Sequence, residues 1–191
     1  MKVLYASLDG EDVLSAEPGA DSAILRVGEP VFLEEPADAW RTEVALALHV
    51  SRLGLHIPVE HARRHYDAVA AVHLLRPADG NAGRVPALFR DRAIAPGSWI
   101  TLDMLEGTIG FDVARRSLRT DDSVALDASL DLTLEELRAD EIVAALSRTM
   151  TLKTGDMIIL AGSSVSLGAP AFDTSVKVCV SGIPSLSVRI K

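Results

Sequence analysis

The stretch Thr42 to Gly54, TEVALALHVSRLG, decides the fold. Val44, Leu46, Leu48 and Val50 alternate with Glu43, Ala45, Ala47, His49 and Ser51, the period of two expected of a half-buried β-strand. One face is wholly apolar. The other carries a carboxylate, two alanines, an imidazole and a hydroxyl, so it can sit over a cavity or a bound ligand without filling it. Glu43 and His49 share that face, but the intervening strand separates them by roughly 20 Å, too far to act on one bond.

Working outward, Pro58 suits the first position of a helix and Glu60 its first turn, which predicts a helix from Pro58 to about Tyr66. Ala68 to Leu75, AVAAVHLL, is a nearly continuous apolar run of strand length, and the Gly-, Pro- and Asp-rich segment Arg76 to Arg84 reads as a loop. Further strands are expected after the Pro-Gly turn of APGSWIT and at Ile109 to Ala114. In LTLEELRADEIVAALSRTM, Thr133 and Glu136 fit a capping box ahead of helically spaced Leu134, Leu137, Ile142, Val143 and Leu146; Asp140 equally fits the cap of a second helix. Gly155 and Asp156 turn the chain into a buried strand, Met157 to Ala161, followed by a small-residue loop, GSSVSLGAPA. Two alternating runs, Val176-Val178-Val180 and Leu186-Val188-Ile190, flank Gly182 and predict a closing antiparallel hairpin. Before Pro36 the apolar bursts VLYASL, AILRV and PVFLEE suggest short strands. The pattern is α+β, mostly strand with two or three helices, and residues 1–191 read as one domain without repeat or linker.

With 48% hydrophobic and 24% charged residues the chain has ample material for a core. A net charge of -8 argues against nucleic-acid or anionic-membrane partners, and Arg115, Arg116 and Arg119 are a short basic cluster that reads as a solvated face. The single cysteine, Cys179, excludes an internal disulfide. Acidic residues interrupt the opening segment before a signal-peptide core forms, so a cytoplasmic protein is expected. No phosphate loop, dinucleotide fingerprint, zinc spacing or nucleophile elbow is present.

The order and spacing of TEVALALHVSRLGLHIPVEHARRHYDAV, DEIVAALSRTMTLKTGD and the closing hairpin resemble the fumarylacetoacetate hydrolase family in its short, single-domain bacterial form. The resemblance implies that family's twisted, mixed β-roll with peripheral helices, usually as a homodimer. It also implies Mg²⁺- or Mn²⁺-assisted cleavage, decarboxylation or tautomerisation of 2-oxo and β-dicarbonyl acids, the ion resting on three carboxylates. The family's Glu-x-Glu falls on Glu43 and Ala45, its third ligand on Leu74, and its lid histidine on Leu8, while Glu11 keeps the lid carboxylate position. A substrate lysine falls near Leu88. The lid pattern also places Tyr5, and the family's carboxylate-holding loop becomes Ala161, Gly162, Ser163 and Ser164.

The expectation is therefore a relative without the parent metal or any cofactor, serving as a pseudoenzyme, a binder of a small carboxylic acid, or the partner of an active family member in a heteromer. Glu43 and Glu11 are the candidate acid-base groups, and Tyr5, Gly162, Ser163 and Ser164 the candidate ligand contacts. A second reading is metal-free isomerisation, decarboxylation or cyclisation of a 2-oxo or polyketide-like acid, with Glu43 as general acid or base. A third keeps a metal by another register, using Glu43 with Asp67, Glu60 or Asp79; His73, beside the lost position, points to the opposite face.

Overall fold

The computed structural model describes residues 1–10, 14–33, 39–78, 87–118 and 125–191. In chain order the strands are β1 (Val3–Leu8), β2 (Leu14–Gly19), β3 (Trp40–Val50), β4 (Tyr66–Pro77), β5 (Ile94–Pro96), β6 (Ile100–Thr101), β7 (Ile109–Ser117), β8 (Ala125–Leu132), β9 (Met157–Gly168), β10 (Thr174–Val180) and β11 (Ile183–Ile190). The helices are α1 (Val59–Ala62) and α2 (Ala139–Thr149). One sheet runs β2-β1-β9-β3-β4-β5 with β6 also on β4, and a second runs β11-β10-β7-β8. Only β1 and β9 pair in parallel among these strands; the other ladders are antiparallel.

The alternation in β3 does set its orientation. Val44, Leu46, Leu48 and Val50 enter a core shared with Phe111 and Val113 of β7, Val176 and Val178 of β10, and Ile142, Val143 and Leu146 of α2. The expectation of a half-open opposite face is corrected: Ala45 and Ala47 are also fully buried, in a second cluster with Val72, Leu74, Leu88, Ile94 and Ile159. Small side chains on β3 leave depth that large ones on neighbouring segments fill, so the sheet has a core on each face.

The helix after Pro58 is short. Pro58 is its N-cap, and α1 passes into a 3-10 turn, Arg63–His65, before β4. The Thr133–Glu136 capping box forms, the Glu136 N–H reaching Thr133 Oγ1 at 3.1 Å and the Thr133 N–H reaching Glu136 Oε2 at 3.0 Å. It closes only a turn, because Arg138 takes a left-handed conformation (φ 52°) and α2 starts afresh beyond it. Asp140 and Glu141 at the head of α2 and Arg148 at its end complement the helix dipole.

Three other expectations change. AILRV and PVFLEE contribute single bridges, Ile24 to Ile94 and Val31 to Ile190, rather than strands. Arg76 and Pro77 continue β4 instead of opening a loop. The small-residue segment after Ala161 continues β9 to Gly168, because β3 offers it a backbone partner as far as Thr42. The closing hairpin is as expected, turning at Ser181 and Gly182 with φ of 48° and 77°. No helix of the described residues is long and apolar enough to cross a membrane.

Candidate functional site

Five strands converge on Arg76. It lies two residues beyond Leu74 on β4 and so shares the face that carries Leu74, with Glu43 directly across from Leu74 on β3. Tyr5 on β1 pairs with Glu17 on β2 and lies in register with Ile159 on β9, which brings both side chains to that face. Arg76 donates from Nη2 to Glu17 Oε2 (2.7 Å) and from Nη1 to Glu43 Oε1 (3.4 Å), and its guanidinium lies 4.7 Å from the centre of the Tyr5 ring. The Leu88 N–H donates to the other Glu17 oxygen at 3.2 Å. The Tyr5 hydroxyl meets Ser164 Oγ at 3.0 Å.

Electrostatically this is one cation between two carboxylates in a partly dry setting. Burial pushes the Glu43 carboxyl above its ordinary range, against the opposing pull of Arg76 and the Tyr5 hydroxyl. Burial likewise raises Tyr5; the hydrogen bond with Ser164 opposes that rise, and the nearby Glu43 charge adds to it. The Tyr5 hydroxyl, beside both Ser164 and Glu43, links the serine to the carboxyl.

The Ala161–Ser164 segment is an excursion of β9. Val165 is opposite Val44 and Leu160 opposite Leu46, so Ala161 to Ser164 all bulge out across from Ala45. Ser163 is buried within it, donating to the Leu160 carbonyl (2.6 Å) and accepting from the Leu46 N–H (2.8 Å), so that it stitches the excursion back to β3. A Cβ on exposed Gly162 would lie 3.4 Å from Leu137, a member of the inter-sheet core, on the face away from Tyr5. Of the sequence-derived candidates, the structure thus brings together Glu43, Tyr5 and Ser164. Glu11 lies outside the described residues.

Sequence reasoning missed Arg76 and Glu17. In the sequence Arg76 reads as the start of a loop, which hides its place on the Leu74 face; Glu17 has no signal, since LSAEPG lacks the alternation of a strand.

The residues do not fit the divalent ion that the resemblance implies. Only Glu43 of its three ligand positions bears an oxygen, and that carboxylate is held by Arg76. Ala45 and Leu74 are fully buried among apolar side chains. Among the described residues no three His, Cys, Asp or Glu side chains converge. Among the described residues the alternative register is not assembled: Asp67 pairs with His49 at 2.7 Å and Glu60 lines a different cavity beside α2, while Asp79 lies outside them. His73 faces the inter-sheet core, fully buried, as the counterpart of Val44 and Ala95.

Neither a protein-family model nor a curated protein sequence matches the chain. Solved structures do. The chain is similar to 5-carboxymethyl-2-hydroxymuconate delta-isomerase from Mycobacterium smegmatis at a TM-score of 0.77 and 18% identity, covering 99% of this chain and 78% of that one. It is similar to fumarylpyruvate hydrolase from Pseudomonas aeruginosa, in complex with Mn²⁺ and pyruvate, at a TM-score of 0.72 and 19% identity over 99% of this chain and 88% of that one. A proposed fumarylacetoacetate hydrolase family protein from Yersinia pestis CO92 gives a TM-score of 0.74 and 14% identity over 100% and 92% of the two chains. At these identities the likeness is one of fold. The chain has the mixed α+β fold of the fumarylacetoacetate hydrolase family.

Proposed function

We propose that residues 1–191 act as one fumarylacetoacetate hydrolase-like domain, in the family's β-roll arrangement, that no longer performs metal-assisted chemistry on 2-oxo acids. It binds a small carboxylic acid as a cytoplasmic pseudoenzyme, or supports an active relative, as a homodimer or a heteromer. The supporting observation is Arg76: a fixed guanidinium holds Glu43 while apolar side chains fill the other two ligand positions. A cation with one of three carboxylates lacks the charge neutralisation that repays its dehydration. Beside Arg76, the Tyr5 and Ser164 hydroxyls offer the ligand polar contacts.

Calorimetric titration with Mg²⁺ and Mn²⁺ tests the reading. No saturable binding tighter than millimolar is expected, and such binding, if abolished by Glu43→Ala, overturns it. Titration with pyruvate, a small 2-oxo acid, is expected to show weak saturable binding that Tyr5→Phe with Ser164→Ala removes.

One observation favours a second reading. A carboxyl raised by burial beside a phenol is suited to moving a proton at the carbon next to a keto group, without a metal. Enol-to-keto conversion of a 2-oxo acid, followed by ultraviolet absorbance, then falls at least about a hundredfold in Glu43→Gln, the usual contribution of a general base. Equal rates in the two proteins count against it.

A further inference from the structure

The outer face of the four-stranded sheet holds a cavity of about 600 Å³, separate from the Arg76 cluster. Strand register builds it. Ser175 on β10 lies opposite Arg116 of β7 on one side and Arg189 of β11 on the other, and Lys177 lies opposite Ser187 one pleat along. Because Val176, Val178 and Val180 point into the core, Ser175 and Lys177 point out. Arg116 and Arg189 are two strand spacings apart, about 10 Å between Cα atoms, and flank Ser175 on either side.

The lining is cationic and hydroxylic. Among the described residues Arg116, Lys177 and Arg189 are its charged members, Ser98, Ser175 and Ser187 stand among them, and no carboxylate lines it. That is an uneven distribution for a chain of net charge -8. Lys177 and Arg189 have no ion-pair partner among the described residues; Arg116 has another contact as well, so the site is anchored on the other two. Ser175 is only 6% exposed, yet its hydroxyl makes no hydrogen bond to a described residue. Ser185 in the same wall is satisfied, accepting from the Ala71 N–H (2.9 Å) and donating to the Ser98 carbonyl (3.0 Å). Two described carboxylates nearby have other hydrogen bonds: Asp112 on the next row accepts from Ser129 at 2.6 Å, and Glu29, in a small adjoining cavity, accepts from the Arg26 N–H at 3.4 Å. Arg115, the sequence neighbour of Arg116, is fully engaged with Asp127 at 2.7 and 2.8 Å, so the basic pair is divided between a structural ion pair and this groove.

We infer that this groove binds a small organic polyanion carrying at least two phosphate or carboxylate groups, one seated over Ser175 against Arg189 and the other at Lys177. Guanidinium and ammonium groups supply charge-assisted hydrogen bonds, and the Ser175 hydroxyl, without a partner among the described residues, supplies a further donor.

Calorimetry at fixed ionic strength, with pyrophosphate and citrate as probes, tests it. Saturable binding of at least one is expected, weakened about tenfold or more in Arg189→Gln and in Lys177→Gln, the scale of a lost charge-assisted hydrogen bond. Both side chains are exposed, so melting temperatures should not move. Arg148→Gln, which removes the same charge from the end of α2, should leave the affinity within about twofold. Tighter pyrophosphate identifies a phosphate ligand, and tighter citrate a polycarboxylate. The inference is overturned if neither probe saturates, or if Arg148→Gln weakens binding as much as Arg189→Gln does.

Discussion

His73 and Arg76 lie on one strand, three residues apart and on opposite faces, and the fold treats them in opposite ways. His73 sits between the sheets with neither ring nitrogen hydrogen-bonded, and burial lowers its pKa to about 4. Arg76 has two carboxylates and an aromatic ring around it. A group that can discard its proton is kept neutral and alone; one that cannot is kept charged and surrounded. At this end of β4 the polar contacts therefore lie on the face of the candidate site.

The largest expected effect tests the lonely member of the pair. The fold takes up a proton at His73 only near pH 4, whereas the unfolded chain does so near 6.5. Between those values the unfolded state binds more protons, so stability is complete above pH 6.5 and falls as pH drops towards 4, by about 3 kcal/mol in all. In His73→Leu that share of the slope disappears, and urea denaturation at pH 7 and pH 4.5, compared with wild type, measures it. A variant with an unchanged slope would mean that His73 finds a partner when charged.

Arg76→Met attacks the surrounded member. It leaves Glu17 and Glu43 partly buried without their cation, and the expected loss is about 2 kcal/mol at pH 7, reduced from a fully buried pair by solvent screening. Adding Glu17→Gln and Glu43→Gln should recover most of that loss in the same urea assay. If the triple variant is no more stable than Arg76→Met alone, the arginine matters for packing rather than for charge.

The smallest effect separates the two serines of the β9 excursion. Ser163→Ala strands the buried Leu46 N–H and should cost about 1–2 kcal/mol, whereas Ser164→Ala should cost about 0.5 kcal/mol or less. Thermal or urea melts of the two single variants show whether 163 belongs to the scaffold and 164 to the site.

Periodic segments were legible because their pattern is local. The alternation of β3, the apolar run of β4 and the closing hairpin each state their own geometry. The strand β2 did not, since Pro18 and Gly19 are poor strand formers and its place is fixed by pairing with β1. The filled pocket at Ala45 and Ala47 was not legible either. A small residue shows where space is left, but Leu74, Ile159, Leu88 and Ile94, which occupy it, come from segments far apart in sequence. In the candidate site, Glu43 came from the alternation of β3 and Tyr5 and Ser164 from the family resemblance, while Arg76 became visible only once β4 was seen to run past Leu75.

The sealed positions at 45 and 74 also make the chain hard to convert stepwise into a metal-binding one. A carboxylate introduced singly at either place would enter a closed apolar cluster with no ion to meet it, and Arg76 would still claim Glu43. Each intermediate is penalised before any ion can compensate it, so the order of substitution matters: the guanidinium has to leave first, and the two acids have to arrive together. The site behaves as a ratchet, and a protein engineer would meet it as a barrier between two sequences that share one backbone.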